Sequence, residues 1–557
     1  MKKFLKWFLV TILCFIALVI GFLVYINSIF KHEAEKHTFK QYKIDKVDSS
    51  TFRIGNNWFR KEQTGLYTLY IEGKPFERGL IAGQLTRYQI YKQEKAFVNQ
   101  LMQIIPSHFY LNFLKYVIAV FDLNLYRSIP EERKAEIYGI SLSASDTFNN
   151  IASNYQRILN YHGAHDLGHM LSNLGMVGCT SFGIWNEKTP DGKLLIGRNF
   201  DFYVGDEFAK EKIVAFVRPD SGYFHAFVTW GGMMGAVSGM NEKGLTVTIN
   251  AANSNVVLSA ATPVSLVARQ ILQYASNIDE AVAVASKFDV FVSELFLIGS
   301  AADNKAVIIE KRPGSQVVYE AKNNFIISAN HFQSAQNGFS VEARKQKLNT
   351  ASGYRYNRVL ECLNQQNVFT VKDIVKILRD TLGNQGKSIG LGNEKAINQL
   401  IGHHSIIFYP EKRLFWISTS PYQVGGFICY DLNKIADSKA LIPNTRSIID
   451  SAYIQPDNGF LLKAFPRYQQ YLNLRKKIST HTIDEKGTEL FVSLNPECFD
   501  AYEQAGDYYL FDKQYNKAEL YYEKSLTCVI PGEKEIKRIK KKYADCQGKT
   551  AQNGKKL

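Results

Sequence analysis

Cys179 follows Gly178 directly and heads an alternating, strand-like run within the segment MVGCTSFGIWNEKTPDGKLLIGRNFDF at residues 176–202. A cysteine acts as a nucleophile through its thiolate, and a separate base, usually a histidine, is needed to form that thiolate near neutral pH. No histidine lies in this segment. If Cys179 has a catalytic role, its base must come from elsewhere.

A cut between Gly178 and Cys179 would supply that base. The new terminus would carry an α-amine beside its own thiol, and the pKa of an α-amine, about 7.7–8.0, suits it to accept the thiol proton. The thiol of Cys179 can make the cut by attacking the Gly178 carbonyl, which gives a thioester that water hydrolyses. Glycine permits the unusual backbone that such an attack demands. The pair therefore predicts a self-processed nucleophile.

The run CTSFGIW, followed by LLIGRNFDF, closely resembles the opening of the N-terminal nucleophile (Ntn) cysteine hydrolases. It is most similar to the acyl-coenzyme A:6-aminopenicillanic acid acyltransferase family and its relatives, the penicillin V acylases and bile-salt hydrolases. The resemblance covers about residues 65–435, because EGKPFERGLIAGQ precedes the cysteine and GMNEKGLTVTIN follows it in the expected order. It implies an αββα sandwich in which a strand is headed by the catalytic cysteine.

The resemblance also implies a set of catalytic residues, namely Cys179, Arg198, Asp201, Asn250, Asn330 and Arg355. Asp201 in GRNxD would hold the cysteine amine and set its protonation, while Arg198 would neutralise charge near the thiolate. Asn250 and Asn330 would donate hydrogen bonds to the oxyanion of the tetrahedral intermediate, and each such donor is typically worth about 10²–10³ in rate. Arg355 would be a further active-site arginine.

The first thirty residues differ in character from the remaining chain. Lysines at positions 2, 3 and 6 precede the apolar run WFLVTILCFIALVIGFLVYINSIF at 7–30, which is long enough to cross a bilayer. The run exceeds the roughly 7–15 residues of a signal-peptide core and no A-x-A-like site follows it, so an uncleaved anchor is favoured over a signal peptide. The preceding lysines predict a single-pass membrane protein with an extracytoplasmic, periplasmic catalytic domain.

Charge and cysteine usage exclude several other classes. The chain has 67 Lys and Arg against 52 Asp and Glu, a net charge of +15, but its lysines are dispersed and no nucleic-acid motif is present. The densest basic cluster, at 533–543, is typical of a solvated helix face, with contact to an anionic membrane surface as the alternative. The seven cysteines form no C-x-x-C pair, so neither a zinc site nor a disulfide framework is indicated.

The histidine spacing in a short segment, YHGAHDLGHM, is compatible with a metal site. A helix would place His162, His165 and His169 roughly along one face. Only Asp166 offers a further ligand, and a polar segment approaching the processing site explains the pattern equally well. No metal and no cofactor is therefore predicted.

The pattern of strands, helices and further strands predicts an α+β fold. The expected order is an N-terminal transmembrane anchor, a helical N-terminal chain of the Ntn domain that is retained after cleavage, the catalytic Ntn chain, a connector, and a tetratricopeptide-like (TPR-like) helical region with a basic tail. The corresponding residues are 1–30, 31–178, 179–435, 436–490 and 491–557. The TPR-like spacing rests on Tyr502, Gly506, Tyr509, Ala518, Tyr522 and Ser525.

These features together predict an enzyme that cleaves or transfers the acyl group of a small N-acyl amide through a thioester on Cys179. Water as acceptor would make it an amidohydrolase, and an amine would make it an acyltransferase. The expected partners are this substrate, a membrane, and a protein bound by the C-terminal repeat, but no nucleic acid. The alternative is a membrane-anchored scaffold without activity whose repeat recruits a partner.

Overall fold

The computed structural model describes residues 7, 10–14, 16–21, 24–25, 37, 39–104, 125–163, 166, 178–203, 205, 207–252, 261–339, 341–437 and 448–554. These residues form two β-sheets with helices on their outer faces, followed by a C-terminal group of helices. The predicted α+β class is confirmed. His165 and His169 of the histidine-rich segment lie outside the described residues.

The predicted membrane anchor is corrected by the structure. A helical span needs about 20 consecutive apolar residues, whereas the described part of the run at 7–30 comprises residues 7, 10–14, 16–21 and 24–25. Across the described residues, no helix combines the length and apolar character that crossing a bilayer requires. The prediction of a single-pass membrane protein with a periplasmic catalytic domain is therefore wrong.

The larger of the two described sheets consists of antiparallel neighbours except for one parallel pair, the fourth and seventh strands. Its strands, in spatial order, are β1 (Asp45–Lys46), β2 (Thr51–Ile54), β3 (Asn57–Lys61), β4 (Tyr67–Gly73), β7 (Ile213–Pro219), β8 (His225–Thr229), β9 (Ser238–Asn241), β10 (Leu245–Ala252), β11 (Ser293–Ser300), β12 (Lys305–Arg312) and β13 (Ser315–Glu320).

The smaller described sheet is antiparallel throughout and contains the strand that follows Cys179. Its strands, in spatial order, are β14 (Phe325–Ser328), β5 (Thr180–Asn186), β6 (Gly192–Phe200), β15 (His404–Tyr409), β16 (Leu414–Ser418) and β17 (Phe427–Asp431).

Helices cover both outer faces of the sheets and continue beyond them. Those within residues 75–437 are α1 (Pro75–Leu85), α2 (Arg87–Ile104), α3 (Glu131–Ser141), α4 (Asn154–His162), α5 (Val264–Tyr274), α6 (Ile278–Ser286), α7 (Ala335–Gly338), α8 (Val341–Asn349), α9 (Ala351–Asn364), α10 (Val371–Leu378) and α11 (Leu432–Asp437). The C-terminal group comprises α12 (Asn458–Ser479), α13 (Glu485–Leu494), α14 (Phe499–Phe511), α15 (Tyr515–Thr527) and α16 (Glu533–Gly554). Short 3₁₀ turns are Asp146–Phe148, Phe208–Glu211, Asn384–Gly386, Pro410–Lys412 and Asp450–Ala452.

The buried apolar side chains show how these layers stack. Ile196 of β6 and Leu297 of β11 belong to one cluster, so the two sheets pack face to face. Leu266 of α5 belongs to the cluster on the outer face of the larger sheet, and Ile374 of α10 to that on the outer face of the smaller one. The order is therefore helix, sheet, sheet, helix. Strand β10 is buried along its whole length because both of its faces are covered.

One close approach fixes helix α10 against the strand that leads into the candidate site. Gly197 lies on β6, and a Cβ at this position would come 2.6 Å from the Ile374 side chain. Only glycine allows the helix to pack so closely. The approach helps to set the position of β6, and with it the side chain of the next residue, Arg198.

The C-terminal helices pack on one another and on the sandwich. Leu400 and Val424 of the sandwich share a buried cluster with Tyr468 of α12 and Tyr522 of α15. Gly506 of α14 packs against the Tyr522 ring, where a Cβ would come 2.6 Å from a ring carbon. These helices are tightly packed, and the TPR-like character of the region stays a prediction.

Candidate active site

The pairing of β5 with β6 brings the cysteine and the GRNxD segment together. Thr180 pairs with Asn199 and Ser181 with Arg198, so Cys179, directly before β5, lies beside the end of β6. The Gly178 amide donates to the main-chain oxygen of Asp201 at 3.0 Å. The Cys179 Sγ lies 4.0 Å from the same oxygen. Cys179 and Asp201, about twenty residues apart in sequence, are thus brought together by the hydrogen bonds between β5 and β6.

The thiol of Cys179 is fully buried, with 0% of the residue exposed. Arg198 Nη2 lies 3.8 Å from Cys179 Sγ. Burial raises the pKa of the Cys179 thiol to about 11, while the charge of Arg198 acts in the opposite direction. In the uncut chain the thiol is therefore protonated near neutral pH, and a base is needed to activate it.

Arg198 is held rigidly in this position. Its Nη1 donates to the main-chain oxygen of Val237 at 2.9 Å and to Ser238 Oγ, and its Nη2 also donates to the main-chain oxygen of Ile249. Burial lowers the pKa of Arg198, whereas the neighbouring thiol acts to raise it. A guanidinium stays charged even so, which suits it to stabilise a thiolate at Cys179.

The carbonyl that the thiol would attack has two strong donors. The Gly178 oxygen accepts hydrogen bonds from Arg355 Nη1 and, at 2.6 Å, from Gln399 Nε2. Arg355 Nη1 also donates to the Cys179 oxygen at 2.7 Å. Donors aimed at a carbonyl oxygen stabilise the charge that develops there on attack. The predicted active-site arginine and an unpredicted glutamine therefore polarise this peptide bond.

Asp201 lies at the end of β6 and its carboxylate is fully buried. Its Oδ1 accepts from Gln423 Nε2 at 3.1 Å, and its Oδ2 from Gln399 Nε2 at 3.4 Å. Burial raises the pKa of Asp201 to about 7, with Arg355 and the Gln423 hydrogen bond opposing that rise. The carboxyl group is thus poised to exchange a proton near neutral pH.

The two predicted oxyanion donors lie near the cysteine but have other partners in the uncut chain. Asn250 Nδ2 donates to Ser181 Oγ at 2.7 Å and to the main-chain oxygen of Ser328 at 2.9 Å. Asn330 Nδ2 donates to the main-chain oxygen of Ala251 at 2.8 Å. Asn330 Oδ1 accepts from Arg355 Nη2 at 2.7 Å, which ties this asparagine directly to the group on the Gly178 carbonyl.

The structure adds residues that sequence reasoning did not find. Gln399 donates to the Gly178 carbonyl and to Asp201, and Gln423 donates to Asp201. Ser238 and His404 lie behind Arg198. Glu294 of β11 is buried beside the site. Burial and Asp166 raise the pKa of Glu294 well above its usual range, while Arg198 opposes them. A glutamine in a loop has no motif, whereas the histidine doublet at the start of β15, His403 and His404, is visible in the sequence.

The histidine-rich segment serves packing where it is described. The His162 ring accepts the Met234 amide at Nε2, 2.9 Å away, and contacts the Ile158 oxygen through Nδ1 at 2.8 Å. Asp166 accepts the Val264 amide at 3.1 Å. Within the described part of the chain, no group of three or more His, Cys, Asp or Glu side chains is placed to hold a metal ion.

Parts of the chain are similar to a known family and to a known protein. Residues 185–418 match the acyl-coenzyme A:6-aminopenicillanic acid acyl-transferase family. An uncharacterized protein of Archaeoglobus fulgidus is 25% identical over 249 residues, which covers 42% of this chain and 41% of that protein. The chain therefore spans about two fifths of the length of this curated relative.

The chain is also similar in part to several solved structures. The Caenorhabditis elegans ortholog of N-acylethanolamine-hydrolyzing acid amidase is 18% identical, with a TM-score of 0.32, covering 42% of this chain and 93% of its own. Penicillin V acylase from Agrobacterium tumefaciens is 14% identical, with a TM-score of 0.31, covering 46% and 87%. A conjugated bile acid hydrolase variant from Clostridium perfringens is 13% identical, with a TM-score of 0.31, covering 46% and 93%.

The family match confirms the resemblance predicted from the sequence. The matched range begins shortly after Cys179 and contains the positions of the other predicted catalytic residues, Arg198, Asp201, Asn250, Asn330 and Arg355.

Proposed function

We propose, from the match of residues 185–418 to the acyl-transferase family, that this chain is an Ntn-type cysteine amidohydrolase or acyltransferase that activates itself by cutting between Gly178 and Cys179. One observation carries the proposal. The Gly178 carbonyl oxygen accepts hydrogen bonds from Arg355 and Gln399, while the Cys179 thiol beside it lies 3.8 Å from Arg198. Electrophile, nucleophile and charge stabilisation meet at one peptide bond.

The cut proceeds in two steps, an acyl shift from nitrogen to sulfur and the hydrolysis of the resulting thioester. The Cys179 sulfur attacks the Gly178 carbonyl carbon through a small ring, a C–S bond forms, the C–N bond breaks, and the thiol proton passes to the departing nitrogen. This gives a thioester and a free α-amine on Cys179. Water then adds to the thioester carbonyl, the C–S bond breaks, the sulfur recovers a proton, and Gly178 leaves with a carboxylate. Arg355 and Gln399 stabilise the oxyanion of both steps.

The α-amine released by the cut becomes the base for catalysis. It takes the Cys179 proton, and the thiolate attacks the carbonyl carbon of an N-acyl amide. The proton then passes to the leaving nitrogen as the C–N bond breaks, which leaves the acyl group as a thioester on Cys179. Water as the acceptor releases a carboxylic acid, and an amine as the acceptor yields a new amide. Asp201, whose pKa is raised to about 7 by burial, would hold the amine.

Asn250 and Asn330 are the proposed donors to the oxyanion of the substrate. Both must exchange partners to do so, because the Asn250 amide donates to Ser181 and Ser328 in the uncut chain. Asn330 is already joined to Arg355 at 2.7 Å. A shift of Arg355 once Gly178 has left would release only Asn330 Oδ1, so the bond from Asn330 Nδ2 to the Ala251 oxygen must also be exchanged before this amide donates to the oxyanion.

A cleft of about 860 Å³ lies between helices α12 and α14 and two loops of the site. Tyr203 lines it two residues after Asp201, and Tyr422 lines it next to Gln423, whose amide binds Asp201. Phe465 of α12 contacts the Tyr422 ring on its other side. The remaining lining is mostly polar and includes Arg475, Lys476 and Asp507, so this cleft would suit a substrate with both an apolar and a polar part.

The deciding experiment measures the intact mass and the N-terminal sequences of the purified protein and of two variants. We expect two chains for the wild type, the second beginning Cys-Thr-Ser-Phe, and one chain for Cys179→Ala. Cys429→Ala is the matched control, because Cys429 is equally buried but lies in the cluster under α10. It should be cut like the wild type.

Activity is then measured on N-acyl amides that differ in chain length, with water or a primary amine as acceptor. Carboxylic acid release, or a new amide, that depends on Cys179 would support the proposed reaction and separate its two forms. A wild-type chain that stays uncut at Gly178, like Cys179→Ala, would overturn the self-processing step. Release that survives in Cys179→Ala would overturn the thioester mechanism.

A further inference from the structure

A chain of buried polar side chains leads away from Cys179 on the side of Arg198. Arg198 Nη2 lies 3.8 Å from the sulfur, and its Nη1 donates to Ser238 Oγ. Ser238 Oγ is 2.9 Å from His404 Nε2, and His404 Nδ1 is 2.9 Å from His403 Nδ1. Every one of these residues is 0% exposed. The histidine pair is thus connected to the sulfur through two intermediate side chains.

The strands fix this arrangement. His404 begins β15 and pairs with Phe200 of β6, two residues after Arg198. Ser238 begins β9 in the other sheet. The hydrogen bond between Ser238 and His404 therefore joins the two sheets directly behind the guanidinium of Arg198. Side chains set on paired strands in this way have little freedom to reorient.

The histidine pair is also enclosed on its far side. The His403 ring lies 4.7 Å from the Phe208 ring and 5.5 Å from the Trp230 ring, measured between centroids. The titratable groups that act on the pair from neighbouring elements are Arg198 and Lys212, both buried, and burial lowers the pKa of Lys212 itself to about 7. Burial, together with these two cations, holds the pKa of each histidine well below its usual range. Both histidine rings are therefore neutral near pH 7.

Neutral rings determine how the hydrogen bonds are directed. A bond between two Nδ1 atoms needs a proton on one ring and a lone pair on the other. If His404 donates from Nδ1 to His403, its Nε2 carries a lone pair and accepts the Ser238 hydroxyl hydrogen. The hydroxyl oxygen then presents its lone pairs to Arg198, which can only donate. Each contact from Arg198 to His403 Nδ1 is satisfied in this arrangement, while the hydrogen on His403 Nε2 has no partner among the described residues.

We propose that His403 and His404 are positioning residues for Arg198, which they hold, through Ser238, in the orientation that stabilises the Cys179 thiolate. This role rests on the proposed function, because it matters only if Cys179 is a nucleophile. His404 touches neither substrate nor sulfur. Its removal would let the Ser238 hydroxyl turn toward the guanidinium, and Arg198 would lose one acceptor and its fixed distance to the sulfur.

The test uses His404→Phe, His404→Gln, Ser238→Ala and the double variant Ser238→Ala/His404→Phe in the full chain. The self-cleavage rate is measured by intact mass. The rate of Cys179 alkylation by iodoacetamide is measured against pH by peptide mass, which separates this cysteine from the others. Melting temperatures show whether each variant is folded.

We expect His404→Phe to slow cleavage by about tenfold to a hundredfold, as small misplacements of catalytic groups do, and to move the alkylation midpoint to higher pH. His404→Gln should restore both, because its amide oxygen can accept from Ser238. The double variant should be no slower than Ser238→Ala alone, since both changes break one chain. A merely structural histidine would not move the pH midpoint or be rescued in this way.

Two outcomes would overturn the proposal. One is a His404→Phe protein with an unchanged alkylation midpoint, and the other is a double variant whose losses simply multiply. If His404→Phe fails to fold, Ser238→Ala and His404→Gln decide the question with the same readouts. Failure of the proposed function has a different signature, because the wild type would then remain a single chain by intact mass, whereas failure of this proposal leaves the wild type cut and the variants equally fast.

Discussion

Gly178 is required by its neighbours and not by its own backbone. The sequence suggested that glycine is needed there for an unusual conformation, yet Gly178 is not among the described glycines with positive φ. A Cβ at this position would lie 2.5 Å from Gln399 Nε2 and 2.6 Å from Gln399 Oε1. The glycine thus leaves room for the side chain that donates to its own carbonyl.

Replacing Gly178 with alanine should therefore block the cut by displacing Gln399. We expect Gly178→Ala to slow self-cleavage by about 10²-fold, the typical cost of one lost oxyanion donor. Gly163→Ala is the control, because the nearest atom to a Cβ at Gly163 is 3.6 Å away, an ordinary contact. The fraction of cut chain over time, followed by intact mass, gives both rates. Equal rates for the two variants would show that Gln399 does not act at this carbonyl.

The two glutamines that bind Asp201 differ in one contact, because only Gln399 also binds the Gly178 carbonyl. Gln399 donates to both the Gly178 carbonyl and Asp201, whereas Gln423 donates to Asp201. We expect Gln399→Leu to slow self-cleavage by about 10²-fold or more. Gln423→Leu should slow it much less but raise the pH at which the mature enzyme works, because one hydrogen bond that lowers the Asp201 pKa is lost. Similar cleavage rates in the two variants would contradict this division.

The candidate site was predictable where its residues are close in sequence. Cys179 and Arg198 stand at the start and end of one hairpin, so a short motif records their contact. Gln399 and His404 reach the same place only because β15 pairs with β6 about two hundred residues later in the chain. Their contacts depend on how the sheet closes, which no local pattern encodes.

At the scale of elements, helix α4 shows how a possible metal ligand is instead a packing residue. His162 ends α4 and is 0% exposed. Its Nε2 accepts the Met234 amide and its Nδ1 contacts the Ile158 oxygen, so the neutral ring joins the helix to the turn before β9. Burial lowers the pKa of His162 to about 4. Protonation would break the bond from Met234 and place a charge in the core.

This histidine should make the fold sensitive to acid. The unfolded chain binds a proton at His162 below a pH of about 6.5, whereas the folded chain resists it down to about 4. The free energy of unfolding should therefore fall as the pH drops from 6.5 to 4, by about 2–3 kcal/mol from this residue. Urea unfolding at pH 7.5 and 4.5 measures the loss. His162→Gln keeps a donor and an acceptor but does not titrate, so a loss as large in this variant would rule out His162 as a cause.

Some element boundaries carry a strong local signal in the sequence. The TPDGK segment at 189–193 leads from β5 into β6, and α5 begins directly after Pro263. Residues 436–490, predicted as a connector, contain the long helix α12 (Asn458–Ser479). Pro466 lies inside that helix and weakens its local signal. Burial of Tyr468 and Tyr471 stabilises it instead, which is a property of the folded protein.

At the scale of the whole molecule, the C-terminal helices hold the segment that leads to Gln399. Asn495, which follows α13, accepts the Leu391 amide through Oδ1 and donates to the Leu391 oxygen through Nδ2, each at 2.9 Å. Asn393 Nδ2 donates to the Val529 oxygen at 2.8 Å. A Cβ at Gly390 would come 2.6 Å from Cys498. The helical region thus supports the loop of the sandwich that carries Gln399, besides lining the cleft.

This support predicts that a change in the helical region affects chemistry in the sandwich. Asn495→Ala leaves both main-chain groups of Leu391 without a partner, and we expect self-cleavage to slow by about tenfold as Gln399 loses its fixed position. Ser525→Ala is the matched control, because Ser525 is also 0% exposed and its hydroxyl donates to the Phe499 oxygen within the helices. Both variants should lower the unfolding free energy by about 1–3 kcal/mol. Cleavage rates from intact mass and stabilities from urea unfolding then separate the two effects. If Ser525→Ala slows cleavage as much as Asn495→Ala at equal stability, the helices act through general stability, and their contact with Leu391 has no special role.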